Sequence, residues 1–470
     1  MIKPVILWTD ALVFVLVAVI TGFALYARKR EHLREPWLDV LRNRLAMASL
    51  VILLGYVIVG LLDSLHLRQA LPHESGQTEV QYSGDVLSLL DLLMGPVRTH
   101  VETTYSAPFA AYALARETVI GDDGVQRRLF PRLVYGGVQL KDPATQKTGD
   151  ILHRCGVGVV EAAAFMGAVF VALALSLARR RQTAFADMAR RIARGDTELP
   201  WRTALATLAL LAIAVALAAN LAGVYHIFGT DKVGQDVFYQ SVKSIRTGLV
   251  IGTLTTLIML PFAIFLGMMA GFFGGWIDDA IQYLYTTLNS IPGVLLIAAA
   301  VLMLQVYMSN HADLYDTMAE RADLRLLFLC IILGITNWTG LCRLLRAESL
   351  KLKELEYVQA AGAFGVSNGR ILVRHLLPNL MHLVLISVAI DFSGLVLAEA
   401  VLSYVGVGVD PTTQSWGNMI NRARLEMARD PMVWWSLLSA FVLMFALVLS
   451  ANLFADAVRD AFDPRLKQRG

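Results

Sequence analysis

Nine stretches of this chain are long and apolar enough to cross a bilayer, and that constrains the fold more than any motif does. A spanning helix needs about 20 mostly apolar residues. The stretches are approximately Ala11–Ala27, Leu45–Leu62, Val157–Leu177, Ala204–Val224, Gly248–Phe273, Leu284–Met308, Leu326–Leu341, Leu380–Tyr404 and Met432–Leu453. They are apolar all round, as helices facing lipid must be. Over the 470 residues the hydrophobic fraction is 56% and the charged fraction 17%, against about 45–50% and about 25% in soluble domains. A disordered chain, a collagen, a disulfide-stapled secreted domain and almost any soluble enzyme are excluded. The net charge of +3 gives no reason to expect nucleic acid as a partner.

Lys and Arg in the short connections orient the spans. Basic clusters follow the first span (Arg28–Arg30), the third (Arg179–Arg181, Arg190, Arg191, Arg194) and the seventh (Arg343, Arg346, Lys351, Lys353), and Arg459 to Arg469 close the chain. With nine spans these regions share one side. That side is read as cytoplasmic, with the C-terminus inside and the N-terminus outside. Lys3 alone precedes the first span, so the charge order is that of an N-out anchor, not a cleavable signal peptide.

The organisation expected is four parts: two spans in 1–62, an external segment in 63–156, two spans with a basic linker in 157–224, and a core in 225–470. The external segment carries turn signals at Gly95-Pro96, Gly121–Gly124, Gly136-Gly137 and Asp142-Pro143, and Arg132–Tyr135 alternates as a strand does. His66, His73, His100 and His153 are scattered in it, without metal or catalytic spacing. Cys155, Cys330 and Cys342 form no CxxC and no Cys/His cluster, so buried free thiols are expected. No metal and no cofactor is implied.

Between the seventh and eighth spans, in 350–379, the pattern is helix, break, helix, stop. Leu352, Leu355, Val358 and Ala361 form an apolar stripe. Ala360, Ala361 and Gly362 are small enough to let another surface approach. Gly365 suits a left-handed cap, Ser367 can cap the next helix, and Pro378 ends or redirects the chain before the next span. Such a pair fits either docking to a partner or an ordinary interfacial amphipathic helix.

This stretch, Glu356-Tyr-Val-Gln-Ala-Ala-Gly-Ala-Phe-Gly365 with Leu377-Pro378, resembles the EAA loop of ABC importer permeases. Gln359 stands where that family usually has Glu, and Glu356 lies one turn earlier. Further matches follow in family order: Gly229-Thr230-Asp231-Lys-Val-Gly234-Gln-Asp236-Val237, Gly274-Gly-Trp-Ile-Asp278, Glu399–Gly408, Ser415-Trp416-Gly-Asn-Met419 and Asp460–Arg465. They resemble the dipeptide, oligopeptide and nickel branch, in its C-type subunit. Gln235 replaces the usual Arg. The resemblance implies an all-α membrane protein whose C-terminal six helices form an importer permease bundle. It also implies ATPase coupling through Glu356, Gln359, Ala360, Ala361, Gly362, Gly365 and Pro378. The expected partners are a second permease subunit in a heterodimer, two ABC ATPase subunits and an external substrate-binding protein. The expected setting is the bacterial inner membrane, and the expected mechanism is alternating access. The N-terminal half exceeds the usual six spans. Either Ala204–Val224 is the family's first span, or Leu45–Leu62 is and an insertion follows it.

Asp391 lies about 13 residues beyond Pro378, near mid-membrane. It is a candidate for lining the path or latching the partner permease, or for a structural pair with Asn337 or Thr336. Glu399 is expected at the external interface. Asp231 and Asp236 are read as ordering a short surface helix capped by Thr230 or Asp231, or as a solvated turn. Trp434 and Trp435 are read as interface anchors, and Trp416 as a loop residue able to touch a binding protein or plug a cavity. There is no Gly-x-x-x-x-Gly-Lys-Ser/Thr, so energy has to come from a separate ATPase. A sensor layout, with the external segment as input module, and an exporter are the competing readings. The solute class expected is peptides, with nickel chelates and other small solutes as alternatives.

Overall fold

The computed structural model describes residues 2–70, 82–120, 126–311 and 317–462. Among them, nine helices are long and apolar enough to span a membrane. The chain divides into two compact units.

The first unit comprises Met1–Val5, Leu38–Thr247 and Gln414–Ser450. Three spanning helices run through it: α3 (Arg44–Asp63), α6 (Pro143–Arg181) and α8 (Trp201–Ala222), with the short α7 (Phe185–Arg194) between the last two. α6 and α8 approach closely because Gly158 has no side chain: a Cβ there would lie 3.2 Å from the Ala216 carbonyl. α3 starts on Asn43, whose side chain accepts from the Leu45 and Ala46 amides. Between α3 and α6 lies the segment read from sequence as external. It contains strands β2 (His66–Gln69) and β3 (Leu87–Ser88), helices α4 (Leu89–Leu93) and α5 (Gly95–Thr99), and an antiparallel pair β4 (Glu117–Ile120) and β5 (Gln126–Leu129). The N-terminal strand β1 (Ile2–Val5) completes an antiparallel β1-β2-β3 sheet, with Ile2 opposite Gln69 and Val5 opposite His66. The all-α description therefore holds for the membrane part, with two small sheets added outside it. The start of α9 (Val237–Phe273), α16 (Trp416–Glu426) and the first part of α17 (Trp435–Phe462) also belong to this unit.

The strand expected at Arg132–Tyr135 is absent. Arg132 makes an isolated bridge with Tyr112, and its guanidinium turns back to the carbonyls of Gly137 and Val138, 3.2 Å each. That return bends the segment away from a ladder. His73 and the Gly121–Gly124 turn lie outside the described residues.

The second unit comprises Ile6–Trp37, Gly248–Thr413 and Ala451–Gly470. It holds α1 (Trp8–Arg28), the beginning of α2 (Glu31–Arg42), the rest of α9, α10 (Gly275–Ser290), α11 (Gly293–Asn310) and α12 (Met318–Lys353). α13 (Glu356–Ala363), α14 (Asn368–Ile371) and α15 (Leu377–Tyr404) follow. One apolar core joins Ile251, Leu254, Leu329 and Leu333, with Leu12 and Val13 of α1 packed on it; a second joins Met259, Leu345, Val358 and Leu380. α1 is fixed to α12 at its start, where the Thr9 amide donates to the Asp323 carboxylate at 3.0 Å. Cys330 and Cys342 are buried and Cys155 half-buried, all free.

The span read as Leu284–Met308 is two helices. Ile291 is extended (φ −91, ψ 130) and Pro292 opens α11. Proline pushes the residue before it out of helical geometry, and a hydropathy window does not register that. Pro378 behaves in the opposite way. It does not stop the chain: a π turn (Leu372–Leu376) precedes it and α15 runs on through it. The wider turn makes room for a residue that lacks an N–H and whose ring would crowd the carbonyl one α turn back.

Candidate functional site

Two groups of residues were marked by sequence, and they stand in different surroundings. The first is the external signature, Gly229 to Val237, in the first unit. Thr230 and Asp236 bridge one another across a tight turn. Asp231 Oδ1 accepts from the amides of Val233 (3.0 Å) and Gln235 (2.9 Å), and Oδ2 accepts from Gln240 Nε2 at 2.7 Å. Asp236 Oδ1 accepts from Phe238 and Tyr239 amides, capping α9. The turn is thus neither a surface helix nor solvated: Thr230, Asp231 and Asp236 are all buried.

What buries it is the external segment. Thr230 Oγ1 donates to the Thr104 carbonyl at 2.8 Å and accepts from the Ser106 amide at 2.6 Å. Gly229 (φ +66) and Gly234 (φ +76) sit so close to that segment that an added Cβ would lie 2.3 Å from the Ser106 carbonyl and 1.8 Å from the Glu102 carbonyl. Only glycine takes such a φ and such an approach without strain.

At the centre is a buried ionic group that sequence reading missed. His226 Nδ1 lies 2.7 Å from Asp236 Oδ2, and Nε2 lies 3.3 Å from Glu102 Oε1. Glu102 also accepts from the amides of Val134 and Tyr135, 2.8 Å each, and Gly136 at 3.0 Å. Burial alone would lower the His226 pKa, but its bonds to Asp236 and Glu102 outweigh that and hold it near 9. Burial alone would raise Glu102, yet His226 and the three amides bring it down to about 2. His226 is therefore an imidazolium at neutral pH, clamped between two carboxylates. Its place three residues before Gly229 was the available signal. Glu102, 124 residues away in sequence, carried none.

A second polar cluster ties α4 to α9. Lys243 Nζ pairs with Asp91, which also accepts from Tyr239 at 2.6 Å and closes a capping box with Ser88. Asp91 is held below its ordinary pKa because Lys243 overrides the effect of burial. Among the described residues no group of three or more His, Cys, Asp or Glu could hold a metal.

Trp416 is the first residue of α16, not a loop residue. It is 1% exposed and its indole donates to the Ser241 carbonyl at 3.0 Å. Trp435 is buried too, donating to the Thr230 carbonyl at 3.0 Å, while Trp434 is exposed. Neither Trp416 nor Trp435 presents a face to a binding protein or to lipid.

The second group lies in 350–379, the loop marked by its resemblance to the EAA loop. α13 carries Glu356, Gln359, Ala360 and Gly362 exposed, Ala361 half-buried and Val358 buried. Gly365 has φ +77, the left-handed value expected, and nothing within 4 Å of an added Cβ; the same space is open at Gly362. Phe364 is 88% exposed. Ser367 occupies the N-cap of α14, but its side chain makes no capping bond. Gln359 Nε2 donates to the Glu354 carbonyl at 3.3 Å. Asn379 Nδ2 donates to the Tyr357 hydroxyl at 3.1 Å, linking α13 to the start of α15. Arg346 grips Asp278 with two bonds of 2.5 and 2.6 Å, linking α12 to α10.

Asp391 is half-buried in α15. It is not paired with Asn337 or Thr336: Asn337 bonds the Leu333 carbonyl (2.8 Å) and Thr336 the Ile332 carbonyl (2.9 Å). Glu399 is 2% exposed and accepts from Ser403 at 2.7 Å, so it is buried within the protein.

Comparison with known proteins adds an independent observation. The family described as a binding-protein-dependent transport system inner membrane component matches residues 263–468. The dipeptide transport system permease protein DppC of Alkalihalophilus pseudofirmus is 31% identical over 242 residues, 52% of this chain and 73% of that protein. The oligopeptide permease protein OppC of Mycobacterium tuberculosis is 31% identical over 52% of this chain and 77% of its own length. The glutathione permease protein GsiD of Pectobacterium atrosepticum is 30% identical over 52% and 73%. A solved structure of the MetNI methionine ABC transporter, inward facing, overlays with a TM-score of 0.33 at 16% identity, covering 46% of this chain and 93% of that one.

Proposed function

This chain belongs to the inner membrane components of binding-protein-dependent transport systems, in the peptide branch of ABC importer permeases, and from that premise we propose how its two sites divide the work. It is a permease subunit that moves peptides or similar small solutes across the inner membrane, driven by ATP hydrolysed on separate subunits. α13 and Gly365 are the surface that seats the ATPase. Closure of the ATPases on ATP carries α13 with them, and the Tyr357–Asn379 bond passes that movement to α15 and so to Asp391. Asp391 lines the path or latches a second, different permease subunit. The complex then holds two permeases and two ATPases and receives solute from an external binding protein. The N-terminus lies outside and the C-terminus in the cytoplasm.

The observation that carries this reading is the bareness of the coupling loop. Glu356, Gln359, Ala360, Gly362 and Gly365 are exposed, and Phe364 projects almost wholly into solvent. An apolar side chain left bare beside small residues is a surface prepared for a partner. The external segment, bonded through buried groups to Gly229–Asp236, acts as part of the permease's outer face and not as a detached input module.

The test is native co-purification of the tagged chain from its own membranes in mild detergent. A second permease and P-loop ATPases are expected in the eluate, and loss of the ATPases alone is expected on Phe364→Glu. Recovery of the chain alone, or with a kinase, would overturn the reading.

A further inference from the structure

The hairpin between α6 and α8 carries a cluster of basic side chains, most of them with no acidic partner among the described residues. α6 ends in Arg179, Arg180 and Arg181, and the chain reverses through Gln182 at φ +53. α7 then folds back: Met188 and Ile192, one turn apart, are each 1% exposed and pack with Ala174 and Ala178 of α6. Trp201 and Leu205 of α8 close over the same contact. α7 therefore lies against the last turns of a spanning helix and does not hang into water. At that level α6 still shows apolar surface outward, with Leu175 at 41% exposure, and Phe185 opens α7 at 41%. Exposed apolar surface beside exposed basic groups suits the level where acyl chains give way to headgroups.

The face of α7 away from this contact carries Arg190, Arg191 and Arg194, all exposed, as are Arg179 and Arg180. Arg181 pairs with Glu198 at 3.0 Å. The guanidinium groups of the other five make no ion pair or hydrogen bond among the described residues. Asp187 and Asp196, the nearest acids in sequence, are exposed and stand in no ion pair with them. Five exposed guanidinium groups on one hairpin repel one another unless an anion sits among them. The anion available at that depth is a lipid phosphodiester, whose oxygens match the guanidinium fork.

The geometry points to an anionic-phospholipid site on this hairpin, formed by Arg179, Arg180, Arg190, Arg191 and Arg194, with phosphatidylglycerol-type headgroups as ligand. Basic groups at an anionic surface each strengthen attachment roughly fivefold, so the cluster selects anionic over zwitterionic lipid strongly. The orientation preference of basic loops would place such arginines on one side of the membrane. It would not require α7 to be folded up to headgroup depth.

The experiment uses the full chain with its co-purifying subunits, stripped of lipid and returned to nanodiscs of phosphatidylcholine with or without phosphatidylglycerol, with retained lipid read by native mass spectrometry. Wild type is expected to retain phosphatidylglycerol in preference to phosphatidylcholine. Replacing Arg190→Gln, Arg191→Gln and Arg194→Gln together is expected to weaken that preference by at least about tenfold, with no change in melting temperature because the side chains are exposed. The corresponding Lys variant is expected to keep most of it. A second variant, Arg179→Gln with Arg180→Gln, gives an independent reading should the triple fail to fold. Equal retention of the two lipids overturns the site. Displacement of the lipid by millimolar inorganic phosphate overturns it in favour of a free-anion site. Loss of an acidic protein partner from the triple variant, with lipid retention unchanged, overturns it in favour of a protein contact.

Discussion

The signature turn and the α13 loop are both short, glycine-bearing and recognisable by motif, yet the first is buried within its own unit and the second is exposed on its own. Thr230, Asp231 and Asp236 point inward, and each finds a partner in the protein. Glu356, Gln359, Ala360 and Gly362 point outward, and space beside Gly362 and Gly365 is open. The glycines differ in the same sense. Gly234 is needed because the Glu102 backbone is against it, Gly365 because of its φ alone. A motif of inward residues specifies a fold, whereas a motif of outward residues specifies a partner. Mutation should therefore separate them into stability effects and activity effects.

The largest effect is expected at Gly234→Ala. The added Cβ meets the Glu102 carbonyl at 1.8 Å and backbone has to move, which places the cost among the exceptional losses of about 4–5 kcal/mol. A melting curve of the detergent-solubilised protein should show it. An unchanged melt would mean the external segment is not seated on the turn. His226→Ala comes next, at about 3–5 kcal/mol, since two buried carboxylates lose their counter-charge. Restoring part of that loss by pairing it with Glu102→Gln would identify the unpaired charge as the cause.

The pH dependence sharpens the same side of the comparison. His226 titrates near 9, above its ordinary 6.5, so its contribution is complete below about 6.5 and is lost as pH rises through 9. Glu102 titrates near 2 against 4.5, so its contribution is present above 4.5 and is lost as pH falls through 2. Stability should be flat between about 4.5 and 6.5 and should decline through pH 9. The alkaline decline should vanish in His226→Ala, and its persistence there would reassign it to another group.

On the coupling side, Gly365→Val should cost only about 1–2 kcal/mol of stability from the left-handed φ yet abolish solute uptake in cells. Normal uptake would remove the coupling role. The smallest stability effect is expected at Phe364→Ala, within about 0.5 kcal/mol because the ring is exposed. ATPase recovery in the co-purification should nevertheless fall. A melt that drops with Phe364 would erase the distinction between the two sites.

How far sequence reached follows from the same contrast. Apolar runs and the family motifs are local, so the spans, the loop helices and the Gly365 turn were legible. Breaks inside apolar runs were not, because Pro292 and Pro378 differ in effect only through the turn each sits in. The external segment was illegible for another reason: its organising contacts join residues more than a hundred positions apart, as Glu102 joins His226 and Ser106 joins Thr230. Trp416 and Trp435 were misplaced because hydropathy reports burial in lipid and burial in protein alike. Asp391 was located by helical rise, and its lack of a bond to Asn337 or Thr336 came only from coordinates.

The π turn at Leu372–Leu376 has a consequence for Asp391 that concerns angle more than distance. A π turn holds one residue more than an α turn, and one residue of helix corresponds to about 100° of rotation and about 1.5 Å of rise. Pro378 keeps that extra residue in place, since reverting to regular α spacing would set its ring against a carbonyl. The compass bearing of the α15 side chains thus depends on a proline about 13 residues, between three and four turns, before Asp391. With Pro378→Ala the helix is free to rewind, and the carboxylate of Asp391 would swing by roughly a quarter turn to face a different neighbour.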